Sequence, residues 1–369
     1  MPNLLELFVS DTSRSCFTLR YMYDAILFHV PYLEDIPRII RRNITFNGLP
    51  DSFWNNCIGL TRIEARRIFV CARVPQWLYI IVNGAPCRIC SEKCFIYWLY
   101  HWRQPAQTVL MDEDRFGYDG TYLRKMFMAM NKWNHETHGH RLQNLGFCAH
   151  RFSEFNKAIV NKIKQLGEVV PEAAMLTSFF ADCSRFRTTI PSGGWWNQAT
   201  AFCGHKWFHC YGCLGVCAPD GIWYHWYDGA VGRHQDKYFM RHSGVNGIMA
   251  HLCTVVLAGA LYCIYTDAGF ATDSNVIRAF IGFIFLTAAQ LESNRIMARV
   301  RVTIEWGFGR IRAQCPLITR EEILKLRSGQ VTLLMRNAVL LSNYRNMLGE
   351  NSVSLYFRCP PPTIEEYFA

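Results

Sequence analysis

Two short apolar runs in this chain each stop at an aspartate. "LTSFFAD" ends at Asp182 and "LYCIYTD" ends at Asp267. Runs of this length, bounded by polar residues, read as buried strands rather than helices. A third acid, Glu305, lies in a stretch of helical spacing from about Gln290 to Ala313, where Met297, Val300, Ile304, Phe308 and Ile311 form one apolar stripe. An ionised carboxylate that follows a buried run needs a cation or a hydrogen-bonding partner. The fold is therefore expected to bring two strand ends and one helix face to a common polar pocket.

The rest of the chain supplies the material for such a fold. At 369 residues, half of them apolar, it can hold one large domain and a smaller one. Residues 172 to 230 read as strands: "KWFHCYGCLGV" and "IWYHWY" flank "CAPDG", a turn in which Pro sets φ and Gly accepts positive φ. "DKYFMRH" reads as a helix that follows. Strands first paired in a hairpin and later alternating with helices predict a mixed sheet flanked by helices, an α/β architecture, over 172–345.

Residues 1–150 read as helical. Thr61 and Glu64 have capping-box spacing, and Leu123, Phe127 and Met130 share a face at i, i+4, i+7. Arg124, Lys125 and Lys132 lie off that stripe, after the acidic "MDED" and a Gly-containing turn. Helix, turn and basic helix suit a helix-turn-helix DNA-binding module, and they equally suit an ordinary bundle helix with a solvated basic face. Residues 346–369 form a tail in which three successive prolines preclude a core helix.

A formal net charge of +10 favours an anionic partner, DNA before a membrane surface. The apolar stretch Val245–Tyr265 is interrupted by Asn246, His251 and Thr254, so it reads as a buried strand leading to Asp267 rather than a membrane span. The N-terminus lacks a basic segment followed by a long apolar core, so the sixteen cysteines are expected as reduced, intracellular thiols.

Carboxylates at strand ends are short, rigid oxygen ligands, and a helical Glu has greater reach. Hard cations such as Mg²⁺ or Mn²⁺ keep several waters, so few such ligands suffice, and a pair of ions serves both ends of an in-line phosphodiester displacement. Asp182, Asp267 and Glu305 are the candidate ligands. Their order, two aspartates after strands and then a glutamate on a helix, is that of an RNase H-like nuclease. Arg301, four residues before Glu305, and Arg312, seven after it, share its side of the helix and are candidates for DNA phosphates or for pairing with Glu305.

At these residues the chain resembles the PIF/Harbinger transposase family and its domesticated nuclease relatives. The resemblance is densest in "IPSGGWWNQATAFCGHKWFHC", "APDGIWYHWYDGAVGRHQD", "YTDAGF" and "RVRVTIEWGFGRIRAQCPLI", and extends to "CPPPTIEEYF". It implies an RNase H-like catalytic domain preceded by an all-α, helix-turn-helix-containing region. It implies metal-dependent cutting of transposon ends by Asp182, Asp267 and Glu305, with Lys206 added to the phosphate contacts. It further implies a nuclear location, oligomerisation on DNA and a separate Myb-like accessory protein. Three positions depart from the family pattern. Asp182 is followed by Cys183-Ser184 instead of Gly-Thr, Gln198 by Ala199 instead of Arg, and Lys206 by Trp207 instead of a second basic residue. Fewer cations predict a weaker grip on DNA, and a domesticated, non-catalytic DNA-binding adaptor is the alternative.

Other groups receive plainer readings. Cys87, Cys90, Cys94 and His101 lack a clean second ligand pair, so buried thiols are preferred to zinc there; "CGHKWFHCYGCLGVC" looks like a metal knuckle, and it is the resemblance, which implies a strand over this stretch, that favours buried thiols. Trp195 and Trp196 are expected to pack over the sheet. Asp228 is expected to be solvated in a turn. Asp236 is expected to open a helix, and it replaces Asp267 as the second carboxylate only if Asp267 proves remote from Asp182.

Overall fold

The computed structural model describes residues 44–369 apart from 83, 106–108, 283–284 and 327–329. The N-terminal stretch read above for a signal segment lies outside the described residues.

A short helical stretch over 51–58 precedes helix α1 (Arg62–Cys71), whose Thr61–Glu64 capping box forms as the spacing predicts. An antiparallel hairpin follows, β1 (Trp77–Val82) and β2 (Ala85–Cys90), so the N-terminal region is not all helical. Its signal was the period-two alternation of "WLYIIV": Leu78 and Ile80 are buried while Tyr79 and Ile81 face outward. Helix α2 (Ser91–Arg103) is apolar on nearly every side and is buried accordingly. Helices α3 (Val109–Phe116) and α4 (Gly120–His138) are joined by a turn with Gly117 at φ 66° and Asp119 capping α4 through the N–H groups of Thr121 and Tyr122. The Leu123–Phe127–Met130 stripe is buried, and Arg124 is exposed beside the half-buried Lys125.

Helix α5 (Phe152–Gln165) leads into a mixed sheet. Its strands are β3 (Thr177–Arg187), β5 (Phe208–Cys217), β6 (Trp223–Val231), β7 (Cys263–Thr266) and β8 (Val276–Arg278), with β4 (Phe202–Cys203) paired to one end of β5. β3 is central. It pairs antiparallel with β5 and parallel with β7; β5 pairs antiparallel with β6, and β7 parallel with β8. The spatial order is therefore β6-β5-β3-β7-β8. Between β5 and β6 the predicted Pro-Asp-Gly turn is closed by Gly221, at φ 79°. The apolar segment after Gly244 forms a short helix, a π-turn and then β7, and no described helix is long and apolar enough to cross a membrane.

Alternate residues of β3 face opposite sides of the sheet. On one side Phe179 packs against Phe152 and Phe155 of α5. Helix α6 (Trp195–Ala201) precedes β4, and α7 (Asp236–Ser243) packs on the α5 side through Phe239. The other side is crossed by α9 (Ala288–Gln314), counting Val245–His251 as α8, with the predicted stripe Met297, Val300, Ile304, Phe308 and Ile311 buried. Each such buried side chain contributes about 1.5–3 kcal/mol. Gly307 allows close approach, since a Cβ there would meet Trp223 at 2.7 Å, whereas Gly309 faces open space.

Helix α10 (Gln330–Asn346) ties the two regions together through Asn337, which bonds Asn134 and the Asn131 carbonyl of α4. The tail is no separate appendage. Its short helices α11 (Ser352–Phe357) and α12 (Ile364–Phe368), each with a capping box, bury Phe357 on Phe180 and Phe368 on His138 and Tyr344. The prolines between them prevent one long helix, as expected, and leave two short ones.

Candidate active site

Asp182 is not at a strand end but in the middle of β3, opposite Gly215 of β5. On its other flank β7 runs parallel, with Phe180 beside Tyr265. Extending that register by two residues sets Asp267, the first residue but one after Tyr265, beside Asp182 on the same face. Helix α9 brings Arg301 over that pair. Its Nη1 donates to Asp182 Oδ2 at 2.9 Å and its Nη2 to Glu305 Oε1 at 3.3 Å. Arg301 thus links Asp182 to Glu305, and Asp267 lies close enough to Asp182 to raise its pKa.

The environments of the acids differ. Asp182 is largely buried; its Oδ1 accepts the N–H of Cys183 at 2.7 Å. Burial raises its pKa to about 6, with Asp267 adding to the rise and Arg301 and the Cys183 N–H opposing it. Asp267 is half-buried and accepts the Gly269 N–H at 2.9 Å. Glu305 is mostly exposed. Among the described residues no three His, Cys, Asp or Glu side chains already form a metal cage, and the cation between Asp182 and Glu305 here is Arg301.

Asp236 opens α7, as predicted, and lies close by. A Cβ on Gly269 would sit 3.2 Å from Asp267 Oδ1 and 3.4 Å from Asp236 Oδ2. Asp236 pairs with Arg185 at 3.1 Å, and it helps burial push the Cys183 thiol well above its ordinary pKa. Asp236 is therefore a neighbour of Asp267 rather than its replacement.

The candidate phosphate-binding cations are placed differently from one another. Lys206 is exposed in the turn between β4 and β5. Arg312 is turned inward, with Nη2 2.5 Å from Ser184 Oγ and its guanidinium over the Phe186 ring. Arg124 and Lys125 lie on α4, in the N-terminal region.

Two further expectations fail. Asp228 is buried on β6 and paired with Arg336 at 3.2 Å, because β6 continues through the sequence read as a turn. Trp195 and Trp196 are exposed, at 71% and 63%, because Gly193 and Gly194, both at positive φ, carry the chain outward before α6 begins. Trp207, where the resembling family has a basic residue, is also exposed. Cys87, Cys90, Cys94 and the cysteines of β4 and β5 are free thiols, and burial pushes Cys94 up to about 12.

A model of the DDE superfamily endonuclease family matches residues 181–343, a span holding all three candidate carboxylates. The match supports a DDE transposase-like nuclease domain in this segment. No curated protein and no solved structure matches the chain.

Proposed function

We propose that this chain is a metal-dependent DNA endonuclease of the DDE transposase type, of PIF/Harbinger kind, acting on transposon-end DNA in the nucleus. The observation that carries the reading is the convergence of Asp182 and Asp267, from parallel neighbouring strands, with Glu305 through Arg301. Three antiparallel strands followed by two parallel ones, in the order β6-β5-β3-β7-β8, support an RNase H-like catalytic domain.

The donor set fits Mg²⁺ or Mn²⁺. It is all oxygen, and it includes a desolvated carboxylate beside a second one, which a divalent cation would hold ionised. Asp182, Asp267 and Glu305 would hold the ions. When bound, these supply activation of the attacking oxygen and stabilisation of the leaving one.

The protein's own residues do the rest. β3 and β7 fix the two aspartates with little side-chain freedom. Arg301, bonded through both terminal nitrogens, keeps Asp182 and Glu305 oriented and stands ready to donate to a phosphate oxygen once they turn to other ligands. Lys206, Arg312, Arg124 and Lys125 are the proposed DNA contacts, with α3 and α4 as the helix-turn-helix element. A Myb-like accessory protein and assembly of several copies on DNA belong to the same reading.

Supercoiled plasmid incubated with Mg²⁺ or Mn²⁺ tests it. The parent should nick, and the Asp182→Ala variant and the parent in chelator should not. Metal-independent nicking, or equal nicking by parent and variant, rejects the enzyme; DNA binding without nicking returns the chain to the adaptor reading.

A further inference from the structure

The segment "GRHQDKYFMRH", from the end of β6 through α7, carries two interleaved stripes of period four. Arg233, Lys237 and Arg241 form one, and all are exposed. Among the described residues none of the three has a carboxylate within ion-pair distance. His234, Tyr238 and His242 form the other. Their rings are stacked, with centroids 3.8 Å apart for His234–Tyr238 and 3.9 Å for Tyr238–His242. The two stripes border a groove of about 330 Å³.

The groove is fixed to the candidate active site. Arg185 of β3 donates to the His234 carbonyl at 2.8 Å and to Asp236 at 3.1 Å, and so ties the turn before α7 to the central strand. Asp236 in turn abuts the loop after Asp267, across Gly269. Gly232 admits no side chain, since a Cβ there would lie 2.2 Å from the Ala201 carbonyl oxygen. The row is thus tied to the carboxylate centre through Asp236: Arg233 precedes it, and Lys237 and Arg241 follow on α7, about 6 Å apart along the helix axis.

We propose that this groove is a single-strand DNA track, with successive phosphates on Arg233, Lys237 and Arg241 and unpaired nucleobases on the outer faces of His234 and His242, the two ends of the stack that Tyr238 holds together. A row of cations alone would suit any polyanion. Flat rings beside it select a strand whose base faces are free, because base–aromatic stacking needs unpaired bases and tolerates any sequence. A duplex buries those faces. The track gives a frayed or nicked end a place to lie next to the proposed cutting centre, and it rests on the nuclease reading above for its substrate.

The test is fluorescence anisotropy of a labelled single-stranded oligonucleotide and of its duplex. It uses the full chain, with Ca²⁺ in place of Mg²⁺, at several salt concentrations. The exposed pair Lys237→Gln/Arg241→Gln should weaken single-strand binding at least tenfold. It should also reduce the slope of log K against log salt by about 0.7 per lost phosphate contact. His242→Ala should weaken single-strand binding more than duplex binding, with the thermal unfolding of each variant as the control for folding. Unchanged single-strand affinity and slope, or a loss on duplex equal to or larger than that on single strand, overturns the track while leaving the nuclease reading intact. A parent chain that binds neither DNA form overturns both.

Discussion

Arg301 donates to Asp182 at 2.9 Å across the face of the sheet, from a helix 119 residues further along the chain. The same guanidinium reaches Glu305, one helical turn on, so a single cation links two acids delivered by different elements. Burial raises Asp182 to about 6 while Arg301 lowers it. An acid raised in the folded state is protonated below that value. At limiting metal, where the proton competes with the ion for Asp182, nicking should therefore fall as pH drops through about 6, and added metal should move that fall to lower pH. In Arg301→Gln the midpoint should move to higher pH, because an opposing influence is gone. The pH–rate profile of plasmid nicking checks this, and a midpoint that stays put or falls would contradict it.

Gly215 faces Asp182 across the β3–β5 ladder, and its missing side chain is what lets Trp223 and Trp226 lie against the sheet. A Cβ would meet Trp223 at 2.3 Å. Gly215→Ala should cost about 1–3 kcal/mol by overpacking. It should lower nicking as well, since Trp223 also packs on Phe308 of the helix that carries Glu305. Chemical denaturation and the nicking rate should fall together.

Asp228 is buried with one oxygen unpartnered, and burial raises its pKa to about 6 against the pull of Arg336. The folded state then binds a proton that the unfolded state has released. That contribution to stability is present below pH 4 and is lost as pH rises through about 6, by up to about 3 kcal/mol. The stability difference between parent and Asp228→Asn should accordingly shrink between pH 4 and pH 7 in denaturant titrations. A difference that widens over this range would show Asp228 to be stabilised as the ion.

Phe368, in the last described turn, packs on His138 at 4.9 Å and on Tyr344 at 5.0 Å, and Arg67 pairs with Glu365 beside it. Phe368→Ala should cost about 3–5 kcal/mol, far more than loss of the solvent-screened Arg67–Glu365 pair. Denaturation of the two variants separates the contributions.

Much of this architecture was legible because it rests on periodicity. The stripe of α9, the Pro-Asp-Gly turn, the strand leading to Asp267 and the capping box at Thr61 are local patterns with local causes. Asp182 was placed correctly on a strand, but the strand continues past it, because Cys183, Ser184 and Arg185 are paired across the sheet with Leu214, Cys213 and Gly212. No pattern within β3 discloses that partner. Asp228 and the exposed tryptophans were misread for related reasons: the β5–β6 ladder runs beyond the apolar residues, and two glycines at positive φ turn Trp195 and Trp196 outward. The β1–β2 hairpin is hard to read because the six residues of "WLYIIV" are all apolar, so the alternation of buried and exposed positions has no polar residues to mark it. The bridge from Arg301 to Asp182 is tertiary, and only the Arg301–Glu305 half of it, at i, i+4, could be read from spacing.

The most direct test of the carboxylate centre is a calorimetric titration of Mn²⁺ into the parent and into Asp182→Asn near pH 6, in buffers of different ionisation heat. The parent should bind with release of about half a proton, because Asp182 is about half protonated there and must ionise to ligate. The variant should bind at least tenfold more weakly and release none. Parent and variant binding alike, or a parent that binds no Mn²⁺, would contradict the account.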